Sequence, residues 1–379
     1  MVNGSHLTVT WHVDDLKISH KDPAVVEQFV GWLEETHGDA NGSVTVDWEP
    51  KLNCIGMDLD FSEPQVLKVD MSECIKDMVK EFVETIAPPS GSKAPWTDRL
   101  FQVNEDSPAL TPAQKEVFHT HVAKALFAAC RGRPDIRPAV AFLTTRVRAP
   151  TDQDWIKLIK MMDCLKSTEG EVLRLGRHEE DDSLTLHWFW DASFAVHEDF
   201  RSHTGGNLTA GMGAILSASQ KQKLNSRSSR EAELIAVDDG MSTMLWSKLF
   251  LEAQGVQVKE NVLCQDNKSA ILLEKNGKAS SSKRTRHLNI RFFFITDQAN
   301  NHSDSRIQFC PTAFMLADCN TKPQTGAKFE SFQSQIMGKT PVKPFESTEP
   351  EAMDQSTPSC DSTPETKNNH QYEGTGAVS

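Results

Sequence analysis

A mixed α/β fold is what this chain of 379 residues predicts. Short apolar runs of strand length alternate along it with stretches whose apolar residues recur at helical spacing. Two composition breaks divide it: Pro88-Pro89-Ser90-Gly91-Ser92-Lys93-Ala94-Pro95, and the polar stretch Gly176 to Ser183. The length accommodates two or three domains with real cores.

The elements follow in order. Leu7 to Val13 and Leu16 to Ser19 read as short strands around Asp14-Asp15. Ala24 to Thr36 carries Val25, Val26, Phe29, Val30 and Leu33 on one helical face, and Gly38 follows as a stop. Strand-like pieces come at Val44 to Trp48, Leu52 to Phe61 and Gln65 to Val69, then a helix from Ser72 to Ile86. Residues 111 to 169 are mostly helical; Thr111-Pro112 is a helix start, and Arg133-Pro134 and Arg148-Ala149-Pro150 punctuate the rest. Residues 184 to 325 form a further globular unit, strands first, then helices mixed with strands. Beyond about residue 340 the chain is rich in Ser, Thr, Pro and Glu and poor in large apolar residues, the composition of a disordered tail.

The net charge is -13, which argues against binding nucleic acid by bulk attraction. The charge is uneven, however. Lys268 to Arg291 holds seven Lys or Arg against the single acid Glu274, whereas Lys339 to Ser379 holds seven acids against three bases. Local patches matter more than the total for docking a duplex. The eight cysteines include no Cys-x-x-Cys pair, which favours reduced thiols in an intracellular protein over disulfides or a zinc site. The N-terminus has neither a basic nor an apolar leader segment, and no apolar run approaches membrane-spanning length. A soluble, non-secreted protein is expected.

Four acids stand in distinctive settings. Asp191 closes the apolar run from Leu184, Glu233 lies one turn into a helical run, Asp266 follows Val262-Leu263-Cys264-Gln265, and Asp318 follows Phe314-Met315-Leu316-Ala317. Each also has an ordinary reading: a strand-end turn, a helix cap at Asp266 or Asn267 before Lys268 to Asn276, an exposed loop acid. Glu231 and Glu233 separate on physical grounds. Ser228-x-x-Glu231 is a capping box in which Glu231 reaches back to the Ser228 amide, so Glu233 is left as the candidate ligand.

Five segments occur in a telling order: Trp190-Asp191-Ala192-Ser193, Arg227 to Leu234, Asp266 to Ile271, Lys283 to Arg291, and Ala317 to Pro323. The region resembles the ribonuclease H domain of Ty1/copia-type retrotransposon Pol polyproteins. Upstream, His12-Val13-Asp14-Asp15-Leu16 resembles the paired-aspartate hairpin of a reverse transcriptase palm. Ile55 to Asp60 and Arg133 to Phe142 are similar to segments that follow that pair in the same polyproteins.

The resemblance implies an incomplete palm over residues 1–87 and a linker with a helical thumb or connection region over 88–180. It implies a ribonuclease H-like domain, a five-stranded mixed sheet with flanking helices, over 184–326, and a short extension with an acidic tail over 327–379. Asp191, Glu233, Asp266 and Asp318 would hold two Mg²⁺ or Mn²⁺ ions, hard cations suited to oxygen ligands, and would cut the RNA strand of an RNA–DNA hybrid. Asp14 and Asp15 would be the remnant metal site of the palm. Asn267, Lys283, Arg284 and Arg286 are candidate nucleic-acid contacts, with Ser193 and the Arg227 segment beside them, since choosing RNA requires reading 2′-hydroxyls. His287 and His302 are weaker candidates for assisting product release, and His203 reads as a turn residue.

The departures bear on activity. His12 stands where tyrosine usually precedes the aspartate pair. Only 13 residues precede Asp14, too few for the palm strand that carries a third polymerase aspartate, so polymerase activity is not expected of this chain alone. Partners would be an RNA–DNA hybrid, the missing N-terminal polymerase part or other polyprotein products, and no membrane. The competing expectations are a catalytically silent remnant or binding module, and half of a split RNA-directed DNA polymerase.

Overall fold

A computed structural model describes residues 1–38, 44–82, 94–177, 183–276, 295–297 and 305–342. All belong to one unit, Met1–Phe345. The expected tail therefore falls almost wholly outside the described residues, as do Lys283, Arg284, Arg286, His287 and His302.

Strands β1 (Thr8–His12) and β2 (Asp15–Ser19) form an antiparallel hairpin closed by the His12–Asp15 pair. Helix α1 (Pro23–His37) starts where Asp22 accepts from the Ala24 amide at 3.0 Å, with proline in the first turn, where its missing N–H costs nothing. The strand expected over Leu52–Phe61 is instead a hairpin, β3 (Lys51–Cys54) and β4 (Met57–Asp60). Ile55 and Gly56 sit at φ 52° and 70°, the left-handed pair that a two-residue hairpin turn requires. Val44–Trp48 forms no strand, and all but Val44 are exposed there. Strand β5 (Val66–Asp70) leads into α2 (Ser72–Glu81), shorter than the expected helix, whose last residues lie outside the described ones.

Helices α3 (Pro112–Ala129), α4 (Arg137–Arg146) and α5 (Asp152–Ser167) follow. Thr111 and Gln114 form the capping box of α3, and the Asp154 carboxylate receives the Thr151 amide at 3.0 Å at the start of α5. Strand β6 (Leu173–Arg177) then returns to pair antiparallel with β5.

The remaining strands are β7 (Ser183–Ser193), β8 (His203–Thr209), β9 (Gly211–Met212), β10 (Leu216–Lys221), β11 (Gln257–Gln265) and β12 (Ser305–Phe309). One five-stranded sheet has the order β10-β8-β7-β11-β12; a second has β3-β4-β5-β6-β9. In the first, β10, β8 and β7 run antiparallel, while β11 lies parallel to both β7 and β12. This is the mixed five-stranded sheet the resemblance implies.

Period-two alternation sorts β7 between two cores. Leu186, Trp188 and Trp190 pack with Leu234, Val237 and Met241 of α6 (Ser229–Ala253) and with Ile271 of α7 (Lys268–Asn276). Phe189 faces the other way. It joins Val262 and Cys264 in a core with α2 to α5 and with Phe329, Phe332 and Ile336 of α9 (Gly326–Ile336). Each fully buried side chain of this kind contributes about 1.5–3 kcal/mol. Arg133 and Asp135, both buried, pair at 2.9 Å; Arg133 also donates to the Thr168 carbonyl, and Gln333 of α9 donates to Asp135 at 2.8 Å.

Two glycines shape the sheet around Trp190. A Cβ on Gly206 or on Gly240 would come within 2.4 Å and 2.1 Å of the indole, which lies between β8 and α6. The neighbouring Gly205 faces α8 (Asp318–Thr321), where a Cβ would meet Thr321 Cγ2 at 2.6 Å and the Asn320 backbone at 2.9 Å. Glycine lets α8 lie directly on β8.

Candidate functional site

Parallel pairing brings the carboxyl ends of β7 and β11 together. Their register matches Cys264 with Phe189, so Asp191 and Asp266 each lie two residues further on. Asp191 is 1 % exposed near the end of β7, and Asp266 is half-buried in the turn after β11. Glu233 is buried on α6, and its Oε2 accepts from the Ala192 amide at 3.1 Å. The helix begins at Ser228, whose Oγ accepts from the Glu231 amide at 3.3 Å. Glu231 reaches back as far as the Arg227 amide, one residue beyond the expected Ser228 amide. It is thereby occupied at the helix start, and Glu233 projects at the sheet.

Carboxylate oxygens of Asp191, Glu233 and Asp266 all lie within 4.8 Å of one another. Burial, then the charges of Asp191 and Asp266, raise the Glu233 carboxyl well above the usual range. Burial likewise raises Asp191, opposed by the Lys322 ammonium and reinforced by Asp318. Three hard oxygen donors that repel one another form a set that a divalent cation would relieve, and among the described residues no His or Cys joins the group. The donor set fits Mg²⁺ or Mn²⁺.

Asp318 stands apart from that three-acid group. It is the first residue of α8 and buried, and protein donors hold both its oxygens. Lys322 Nζ bonds Oδ1, while Gln324 Nε2 and Lys328 Nζ approach Oδ2 at 3.2 and 3.3 Å. The same Lys322 ammonium lies 3.2 Å from Asp191 Oδ2, which also receives the Thr321 hydroxyl. Burial alone would lower the Lys322 ammonium; Asp191 and Asp318 instead keep it raised. Asp266 Oδ2 receives Thr312 Oγ1 at 3.0 Å.

Sequence reasoning did not single out Lys322, Thr321 or Thr312. Lys322 had a local signal, its position four residues after Asp318 within a quoted motif, the spacing of neighbours on a helix. Thr312 meets Asp266 across 46 residues of sequence and had none.

The other candidates fall as follows. Asn267 caps α7, its Oδ1 accepting from the Ser269 and Ala270 amides at 3.0 and 3.1 Å. Ser193 is buried at the end of β7, and Arg227 is exposed before α6. Asp14 and Asp15 are exposed at the β1–β2 turn and line a cleft of about 290 Å³ with α1 and Thr45 to Trp48. His203 is a buried strand residue and not a turn residue. Its Nε2 lies 2.8 Å from Ser219 Oγ and its Nδ1 3.0 Å from His197 Nε2. Ser219 donates to the Asn320 carbonyl, so His203 Nε2 is the donor to Ser219, and His197 Nε2 is the donor to His203 Nδ1. Burial lowers His203 to about 3 and His197 to about 4. The chain of bonds ends on α8, two residues from Asp318.

No protein-family model matches the chain. It is 27 % identical over 325 residues to the retrovirus-related Pol polyprotein from transposon TNT 1-94 of Nicotiana tabacum, an alignment covering 84 % of this chain and 23 % of the relative. It is 31 % and 32 % identical to the corresponding polyproteins from transposons RE2 and RE1 of Arabidopsis thaliana, over 54 % and 56 % of this chain and 14 % of each relative. The chain thus spans less than a quarter of the length of these relatives. The resemblance to retrotransposon Pol polyproteins is borne out by them. Among solved structures, the foamy viral protease-reverse transcriptase in complex with RNA/DNA hybrid is 11 % identical, with a TM-score of 0.45 over 84 % of this chain and 37 % of that one. The N-terminal RNase H domain of rv2228c from Mycobacterium tuberculosis is 10 % identical, with a TM-score of 0.27 over 39 % of this chain and 96 % of that domain.

Proposed function

We propose that this chain, whose curated relatives are retrovirus-related Pol polyproteins of plant transposons, is a metal-dependent ribonuclease acting on the RNA strand of RNA–DNA hybrids. One observation carries the reading: Asp191, Glu233 and Asp266, from two strand ends and a helix, converge within 4.8 Å with Asp318 close behind. On this reading residues 184–326 are the ribonuclease H-like part, 1–87 derive from a polymerase palm with Asp14 and Asp15 as its remnant metal pair, and 88–180 from a thumb or connection.

Asp191, Glu233, Asp266 and Asp318 would hold the metal, Mg²⁺ or Mn²⁺. Bound there, divalent ions supply an activated water and charge stabilisation at the leaving 3′-oxygen. The residues of the chain do the rest. Ala192 N–H fixes the Glu233 carboxylate, Thr312 fixes Asp266, and Thr321 fixes Asp191, so the ligands are oriented before substrate arrives. Asn267, which caps α7 beside Asp266, would contact the 2′-hydroxyls of the RNA strand. The basic segment with Lys283, Arg284 and Arg286 would neutralise phosphates.

Cleavage of a labelled hybrid by the wild-type chain and by Asp266→Asn, with and without Mg²⁺, tests this. Metal-dependent cutting of the RNA strand alone, lost in the variant, is the expected result. A folded wild-type chain that cuts in neither Mg²⁺ nor Mn²⁺ would leave a silent remnant or a binding module.

A further inference from the structure

Among the described residues, Lys322 is the cation that contacts both Asp191 and Asp318. Its ammonium touches Asp318 Oδ1 and lies 3.2 Å from Asp191 Oδ2, bridging two buried carboxylates. The bridge joins the three-acid group to the one acid outside it. Its main chain is anchored, since the Lys322 amide donates to the Asp318 carbonyl at 3.0 Å. Its side chain keeps 41 % of its surface exposed, so rotation about its own bonds carries the ammonium out to solvent with no movement of the backbone. Lys328, 54 % exposed, balances the far oxygen of Asp318.

The charge count is informative. With metal bound and its ligands deprotonated, four carboxylates against the ammoniums of Lys322 and Lys328 would leave two negative charges, which one divalent cation neutralises. A second divalent ion would leave the cluster net positive even with Lys322 withdrawn, so neutrality requires both that withdrawal and an accompanying anion such as a phosphate. The open coordination also lies on one side. The Asp191–Glu233–Asp266 group is braced by neutral donors, two hydroxyls and an amide, together with the one ammonium on Asp191. Asp318 has an ammonium on each oxygen.

We propose that Lys322 is a built-in cation occupying the Asp191–Asp318 position. The free protein then binds one divalent ion, at Asp191, Glu233 and Asp266, and takes a second only by displacing the Lys322 ammonium. This rests on the metal-binding reading above. Lys322 is a positioning residue in this scheme: it sets metal stoichiometry, and released from Asp318 its ammonium is free to meet the phosphate that accompanies the second ion.

Mn²⁺ titration of the whole chain without nucleic acid, read by the electron paramagnetic resonance of free Mn²⁺, tests it. The wild type should bind one ion, with any second at least about tenfold weaker. Lys322→Met should tighten the second ion by about tenfold or more, and by more than it tightens the first, while Lys322→Arg should keep the wild-type pattern. Should the Met variant fail to fold by circular dichroism, Lys322→Gln gives the same readout. Two ions of equal affinity in the wild type, or a second ion indifferent to loss of the ammonium, would overturn the inference and leave the metal site standing. No bound ion in any folded variant would overturn both.

Discussion

Glu233→Gln should stabilise the metal-free protein while removing its response to metal. Glu233 lies within 4.8 Å of both Asp191 and Asp266. At that separation each pair of full charges repels by about 1 kcal/mol in a water-like dielectric and about 3.5 kcal/mol at an effective constant of 20. The substitution removes two of the three repelling pairs. The gain is smaller than their sum, because the native cluster already relieves itself by holding a proton, as the raised Glu233 carboxyl indicates. A net gain of about 1–2 kcal/mol at neutral pH is expected, or about 2–8 °C in melting temperature. Glutamine keeps the oxygen that receives the Ala192 amide and nearly the same volume, so packing should not offset the gain. Thermal unfolding in chelator and in millimolar Mn²⁺ reads both effects. The sign with pH follows from linkage: a raised carboxyl contributes stability below its unfolded value and loses it as pH rises through the folded one. The advantage of the variant in chelator should therefore grow from acid toward neutral pH. A variant less stable than wild type in chelator, or still stabilised by Mn²⁺ to the wild-type degree, would refute the reasoning.

Two further outcomes follow from geometry. Gly205→Ala should destabilise by about 1–3 kcal/mol and lower hybrid cleavage, because the new Cβ meets the buried Thr321 methyl at 2.6 Å and the Asn320 backbone at 2.9 Å; denaturant unfolding and initial rates check it, with Gly31→Ala in α1, where nothing lies within 4 Å and helix propensity should give a gain of about 0.5–1 kcal/mol, as the unobstructed comparison. His203, lowered to about 3 by burial, should make the protein lose stability as pH falls from about 6.5 toward 3, since the unfolded chain takes up protons that the folded one refuses; His203→Gln should flatten that acid limb in chemical denaturation.

Much of the fold was legible where the physics is local. The alternation in Leu184 to Asp191 gives a strand with two different faces, and β7 has them. Ser228 marks the start of α6 because a cap bond needs only neighbours three residues apart. The hairpin at Ile55-Gly56 escaped notice because an isoleucine in a left-handed conformation advertises no turn. The pairing of β5 with β6 joins residues about a hundred positions apart and leaves no periodic trace. Within the site, order and flanking residues named four acids, whereas the arrangement that separates Asp318 from the other three depends on the reach of Lys322, which only the folded α8 sets. The burial of His203 was hidden for a related reason: Arg201-Ser202-His203-Thr204-Gly205-Gly206 has the composition of a turn, yet its glycines serve close packing.

The indole of Trp190 fills the gap that Gly206 and Gly240 leave between β8 and α6. Three positions distant in sequence are therefore one unit of inheritance. A methyl group at either glycine strikes the ring, and a smaller ring at 190 opens a void, so single steps away from the triplet are each penalised. Change should come to all three together: sequences with a smaller side chain at 190 should carry alanine or serine at 206 and 240. Because the next residue along β7 is Asp191, such a repacking would also move the first carboxylate of the proposed metal site. Drift in an unselected copy of the gene should thus show at the glycines as readily as at the acids.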